Sequence, residues 1–434
     1  MSPSSSFIFS CEILVFILFI NFEIDSKMQH KKRILIFSLV YYPNFIGGAE
    51  VAIKEITDRL GHAQGTFDTQ NSSGQAFEFD MVTLHLDSHL PKVERIGNVT
   101  IHRVGWTSDE NVSADSLPKS LHLNKYAMLL TAFWEAMRLQ HKHKYDIIWS
   151  MMATYNSFAA LFFKLLNPKV KFLLTLQEGD PIPFIKRRAR PLWPLFKMIF
   201  TRADTIQAIS KYLADFGIEM GAKCPVVVVP NAVDIKHFTQ EYSVEEINEI
   251  KKKLNKKEGD IFLITTSRLV TKNAVEDIVK AMPLLPENIK LVIAGRGYLE
   301  DSIRKLSVML GVENRIQFLG WLTHTDMPKY LKASDIFIRV PISEGFGNSF
   351  VEAMACGLPC VTTPVGGILD FLRDRETGIF AEVRNPESVA KAVTELVRNP
   401  ELVSRIKRQS FEMVKEKYDW PMIADEMKKV FLNI

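Results

Sequence analysis

Four groups of residues combine a reactive side chain with a turn able to aim it. Glu344 and Glu352 stand eight positions apart, with Gly345 and Gly347 between a strand-like run and a helix-like one. Eight helical residues rise about 12 Å, too far for one compact two-carboxylate centre, so the two acids are expected to reach different parts of one long ligand. Arg268 and Lys272 lie four apart just past the apolar run 261–266. A guanidinium fork and an ammonium point charge so placed suit a diphosphate. Gly47 and Gly48 separate the apolar run 34–40 from a helical pattern at Val51, Ala52, Ile56 and Leu60, a strand, turn and helix whose free N–H groups can cradle a phosphate. Gln177, Glu178, Gly179 and Asp180 follow the run 171–176 directly, at the carboxyl end of a strand, where parallel sheets bind ligands.

Each group also has a plainer reading. Ser349 with Glu352 three positions later is a capping box for a helix that Gly357 and Pro359 end, which would make Glu352 a cap. Glu344 reads equally as an exposed loop acid, Arg268 and Lys272 as a solvated pair, and residues 177–180 as a polar turn.

The scaffold these residues need is legible as alternation. Strand-like runs at 34–40, 79–84, 99–104, 146–150, 171–176, 226–229, 261–266, 290–294, 316–319 and 334–340 alternate with helical stretches near 129–139 and 245–257, with a tail helix after Asp419-Trp420. Such alternation predicts an α/β fold with doubly wound parallel sheets. Residues 64–76 read as a polar loop insertion. The G-x-G-x-x-G and trailing acid of a dinucleotide site are missing, which argues against a dehydrogenase.

At 434 residues the chain is long enough for two domains with buried cores. A net charge of +4 is too mild to imply nucleic acid. The surplus sits in the first half, with 25 Lys/Arg against 19 Asp/Glu over residues 28–240 and 28 against 28 afterwards. Residues 183–202 interleave Lys186, Arg187, Arg188, Arg190, Lys197 and Arg202 with Phe184, Trp193, Phe196 and Phe200. That mixture suits an anionic membrane surface, or a solvated face over a core stripe. Four cysteines make no disulfide framework, and Cys356 and Cys360 lack a second pair to complete a zinc site. A cytosolic protein is expected, which makes the sequons at Asn71, Asn98 and Asn111 coincidental. The apolar run 7–20 would span about 21 Å as a helix against a hydrocarbon core of about 30 Å. Residues 1–27 are therefore expected to be a disordered or mis-assigned leader before a domain that starts at Met28, with a membrane anchor as the minority reading.

The stretch E-GFGNSFV-E from Glu344 to Glu352, followed by AMACGLPCV and by Gly366-Gly367 with Asp370, resembles the E-x7-E signature of retaining glycosyltransferases of family 4. Arg268 and Lys272 match the family's R-x3-K, and the resemblance runs from about residue 34 to 420. It implies the GT-B fold: two Rossmann-like doubly wound domains facing a cleft, a first over 28–230 rejoined by a tail helix at about 418–434, and a second over 231–417. It also implies transfer of a hexosyl unit from a UDP- or GDP-linked donor to a glycan or lipid-linked acceptor in polysaccharide or glycolipid assembly. No cofactor, metal or nucleic acid is expected, and the location would be cytoplasmic or peripheral on the inner membrane face.

By the same resemblance Arg268 and Lys272 stabilise the leaving diphosphate and Glu344 binds the donor sugar. Glu352 would hold the ribose, and Gly347, Asn348, Ser349, Gly295, Gly297 and Leu322 would line the donor. Gly47 and Gly48 would overlie the phosphates and the acceptor. Many members carry a histidine where Gln177 stands, so its task would pass to Gln177, Glu178 or Asp180. A nucleotide-sugar epimerase and an inactive sugar-binding homologue remain as alternatives. The intact acids and cations fit transfer better.

Overall fold

The computed structural model describes residues 31–61, 77–109 and 118–434. The leader, the whole 64–76 insertion, Cys11, Asn71 and Asn111 lie outside these. Runs of Ile, Leu, Val and Phe with no polar face form strands covered on both sides. The first sheet holds β1 (Lys32–Phe37), β2 (Phe77–Leu84), β3 (Val93–Ile96), β4 (Val99–Val104), β5 (Ile147–Met151), β6 (Lys171–Leu176), β7 (Thr205–Ala208) and β8 (Val226–Val228). Their order is β3-β4-β2-β1-β5-β6-β7-β8, parallel except for the β3-β4 hairpin.

The second sheet holds β9 (Ile261–Thr266), β10 (Ile289–Ala294), β11 (Ile316–Gly320), β12 (Ile336–Ile338), β13 (Cys360–Thr362) and β14 (Ile379–Phe380), ordered β11-β10-β9-β12-β13-β14 and parallel throughout. Strand order reverses between β1 and β5 in the first sheet and between β9 and β12 in the second. Open α/β sheets bind ligands at such switch points, outside the carboxyl ends of the strands. The loops after β1, β6, β9 and β12 carry all four groups of reactive residues.

The tail helix Trp420–Asn433 returns to the first sheet. Its Phe431 ring lies 5.1 Å from Trp149 and 5.7 Å from Phe77, and Lys32 Nζ donates to the Phe431 carbonyl at 3.0 Å. Residues 183–202 fall into two helices, Ile182–Ala189 and Trp193–Thr201, joined by a tight turn at Arg190–Leu192. The second buries Phe196, Ile199 and Phe200, whereas the first only half-buries Ile182, Ile185 and Ala189 against the core. The stretch is thus half core and half surface. The Asn98 amide is tied into the turn, donating to the carbonyl of Asp58 at 3.1 Å.

Candidate active site

β9 and β12 are hydrogen-bonded neighbours, so the loops leaving them meet. Arg268 is exposed at the mouth, and Lys272 sits in the short 3-10 turn Thr271–Asn273. Lys272 Nζ is 3.4 Å from Asp180 Oδ1 of the first sheet's loop. Burial lowers its pKa; Glu344 and Asp180 push the other way, while Arg268 and Arg339 add to the lowering. Arg268, Lys272 and Arg339 against Glu344 and Asp180 leave the group one positive charge in surplus, a place for a further negative charge.

Glu344 is not an exposed loop acid. Its side chain is only 12% exposed, paired with Arg339, and its Oε1 accepts from the Gly345 N–H at 2.9 Å. Burial presses its pKa upward, but Arg339 and Lys272 outweigh that and hold the carboxyl below its usual range. Arg339 is itself buried, and donates also to Asn273 Oδ1 at 3.0 Å and to Ser349 Oγ at 3.4 Å. This arginine organises the site and was missed in the sequence. Its signal was a charge directly after the apolar run IFI.

The capping box expected from Ser349 and Glu352 does not form. The helix starts at Asn348 with Gly347 as its N-cap at φ 101°, so both residues lie inside it. A left-handed cap needs glycine there, and the glycine turn moves the helix start two residues earlier than the sequence pattern suggests. The Glu352 side chain, relieved of capping, makes no hydrogen bond or ion pair with any described residue. Burial pushes its carboxyl up to about 7, with Arg339 opposing.

Across the cleft, Gly179 faces this group so closely that a Cβ there would stand 2.6 Å from Lys272 Nζ and 3.7 Å from Glu344 Oε1. Gln177 and Asn231 exchange side-chain hydrogen bonds at 3.3 Å, and Asn231 donates to Asn348 Oδ1 at 3.2 Å. That amide relay links the two units. Gln177 therefore reaches the site, through an asparagine the sequence reading left out. Gly48 lies beside it, a Cβ there falling 3.4 Å from Asn348 Nδ2. Gly47 donates its N–H to Glu50 at 2.8 Å, and Glu50 is near enough to Arg268 to feel its charge. A further strap joins the Lys211 N–H to Asp370 Oδ2 at 2.7 Å.

Glu178 is 3% exposed. Its Oε1 accepts from the Ala153 N–H, its Oε2 has no partner among the described residues, and burial pushes the carboxyl up to about 7. Gly295 and Gly297 pack against the carbonyls of Ser267 and Leu269, where a Cβ would fall 1.9 and 2.3 Å away. A cavity of about 570 Å³ beside them is lined by Gly297, Arg296, Tyr298, Arg304, Phe318 and Gly320. Leu322 is not part of its lining. Tyr298 Oη, 2.7 Å from Thr271 Oγ1, connects it to the Lys272 turn. Among the described residues no three His, Cys, Asp or Glu side chains gather as a metal site, and no helix is long and apolar enough to cross a membrane.

Two families match, one over most of each sheet's unit: Glycosyltransferase Family 4 over residues 74–237 and Glycosyl transferases group 1 over residues 246–413. An uncharacterized glycosyltransferase of Methanocaldococcus jannaschii is 25% identical over 403 residues, 90% of this chain and 95% of that protein. N-acetyl-alpha-D-glucosaminyl L-malate synthase of Bacillus anthracis is 28% identical over 278 residues, 62% of this chain and 70% of the synthase. Among solved structures, sucrose-phosphate synthase from Thermosynechococcus elongatus superposes with a TM-score of 0.77 at 18% identity, over 93% of this chain and 99% of that one. Anabaena HepE in complex with UDP-glucose gives 0.72 at 17% identity, over 93% and 100%. The shared architecture is the GT-B fold, two parallel-sheet α/β domains about a cleft.

Proposed function

Since this chain belongs to the group 1 and family 4 glycosyltransferases, we propose that it moves a hexosyl unit from a UDP- or GDP-linked donor to a glycan or lipid-linked acceptor in glycoconjugate assembly, with retention and without a metal. Lys272 carries this reading: a cation at the carboxyl end of a switch-point strand, held between Glu344 and the facing Gly179-Asp180 turn. When the glycosidic bond breaks, negative charge grows on the diphosphate, so cations aimed there stabilise the transition state more than the ground state. Lys272 and Arg268 supply that charge. Glu344, kept ionised by Arg339, accepts hydrogen bonds from donor-sugar hydroxyls. Glu352, whose side chain has no hydrogen-bond partner among the described residues, takes the ribose hydroxyls.

The amides at the helix start, Gly347 to Ser349, lie beside the same centre, and the cavity at Gly295 and Gly297 suits the nucleotide. Gly47, Gly48, Gln177, Glu178 and Asp180 face the acceptor. The exposed side of the Ile182–Ala189 helix, with Phe184, Arg187 and Arg188, supports a peripheral position on an anionic cytoplasmic membrane face.

Incubation of the protein with a panel of UDP- and GDP-hexoses, with and without EDTA, tests the reading through release of free nucleotide and the anomeric configuration of the product. One donor class should be consumed, with retention, unaffected by EDTA. An inverted product, strict dependence on added Mn²⁺, or no release from any donor in the presence of a crude acceptor extract would overturn it.

A further inference from the structure

We propose that a cavity of about 390 Å³ in the first domain, beside Asp180, is a subsite for the hydrocarbon chain of an amphiphilic acceptor whose hydroxyl is received by Glu178. This rests on the transferase reading and adds the chemical class of the acceptor. The walls are apolar, with Leu129, Phe158, Ile185 and Phe196 among them. Sugar hydroxyls placed along such walls would lose their hydrogen bonds to water with nothing in exchange, whereas a chain gains from leaving water. The size falls in the range of ordinary ligand pockets, about 300–1,000 Å³.

The two ends of the cavity differ in a way that orients the guest. The end facing the cleft holds Asp180, half-exposed and 3.4 Å from Lys272, and Glu178, whose Oε2 is buried without a partner among the described residues. Buried polar atoms are nearly always satisfied, so a lone one lining a cavity marks where a ligand's donor belongs. With its carboxyl pushed up to about 7 by burial, Glu178 can accept from a hydroxyl or donate to one near neutral pH. The outer end opens between Tyr126, Phe184 and Leu192, which are 62%, 41% and 42% exposed. From Tyr126 the apolar surface continues along the same helix through Leu130 and Trp134, each one turn further on and both exposed. Arg188, held against the Tyr155 ring at 5.1 Å, also lines the cavity. An amphiphile entering tail first from that surface would place a hydroxyl at Glu178 only if its chain folds back along the wall; one lying lengthwise, head inward, does so directly. The second arrangement leaves the chain end pointing at the exposed apolar strip.

The probes are methyl, hexyl, octyl and nonyl β-D-glucoside, each below its micelle concentration, titrated calorimetrically into the full protein without donor. Affinity should rise about fourfold per added methylene until the cavity is filled, with methyl glucoside and maltose giving no measurable heat. Ala189→Trp, which fills the wall, should flatten the series while leaving the circular dichroism spectrum unchanged. Leu192→Asp at the exposed mouth, a change the fold tolerates more readily, should weaken octyl glucoside at least tenfold. Affinity independent of chain length, maltose binding more tightly than octyl glucoside, or a series untouched by Leu192→Asp would overturn the subsite. The donor panel is read separately: with nucleotide release intact and a flat glucoside series, only the subsite fails.

Discussion

The two walls of the cleft are built on opposite principles. The second domain's wall is ionic: Arg339 ties Glu344, Asn273 and Ser349 together, and Lys272 and Arg268 stand in front of them. The first domain's wall is an apolar cavity with one buried acid at its cleft end, joined to the second through Gln177 by an amide relay. A diphosphate always carries the same charge, so its wall can be a fixed electrostatic frame. An acceptor is the variable partner, and its wall is shaped by side chains on helices.

The largest expected effect breaks the ionic wall from behind. Arg339→Met leaves Glu344 buried without its cation, and removing one partner of a buried pair costs about 3–5 kcal/mol. Urea denaturation should register that loss in stability. A midpoint close to wild type would mean that Glu344 does not depend on Arg339. Next come the front cations. Arg268→Ala and Lys272→Ala should each cost about 2–4 kcal/mol of transition-state stabilisation, a 30- to 1000-fold fall in kcat, with stability nearly kept. Near wild-type turnover in both would separate the ionic wall from catalysis.

The unequal legibility of the two walls has a physical cause. Glu344, Lys272 and Arg268 were visible because each lies in a glycine-bearing or charged loop that leaves an apolar strand, and such loops are where parallel sheets present ligands. Arg339 was hidden because a sequence pattern cannot tell a charge that ends a strand from one buried beneath a loop. The capping box over Ser349 and Glu352 was a false signal: Gly347 in the left-handed region starts the helix earlier than the Ser-x-x-Glu pattern suggests. The ten expected strands all exist with small shifts at their ends, while β3, β7, β13 and β14 went unread because runs of two to four residues carry too little periodicity. On the first domain's side, the cavity is assembled from residues spread between Tyr126 and Phe196 on several elements. Only chain folding brings them together, so no local spacing could announce it.

A pH series sharpens the difference at the buried acids. Glu178 is pushed up to about 7 from an ordinary value near 4.5. Between those values the folded protein holds a proton that the unfolded chain has released, so stability falls as pH rises through that window and levels off above about 7. The loss from this group amounts to at most about 3 kcal/mol. Glu352, raised in the same direction, adds a share of the same sign. Glu178→Gln keeps an acceptor for the Ala153 N–H and removes the titration, so its stability should decline less between pH 5 and 7.5 than wild type. Parallel declines in denaturation midpoint would place the Glu178 carboxylate in contact with water.

The smallest effect concerns the outer face of the first domain. At about 1 kcal/mol per basic residue near an anionic surface, the cluster at 186–188 would count for about 3 if all three charges were free. They are not equivalent. Lys186 is paired with Glu219, Arg188 is stacked on and hydrogen-bonded to Tyr155, and Arg187 is exposed beside the Phe184 ring. Arg187→Gln should therefore weaken binding to phosphatidylserine vesicles about fivefold at low salt. Lys186→Gln should do less on its own and more in a Glu219→Gln background, where no local carboxylate competes for the charge. Raising the ionic strength should erase both differences, because the Debye length shrinks to about 3 Å at 1 M salt. Sedimentation with vesicles measures all three, and a wild-type protein that ignores anionic vesicles at low salt would reduce this helix to a solvated face.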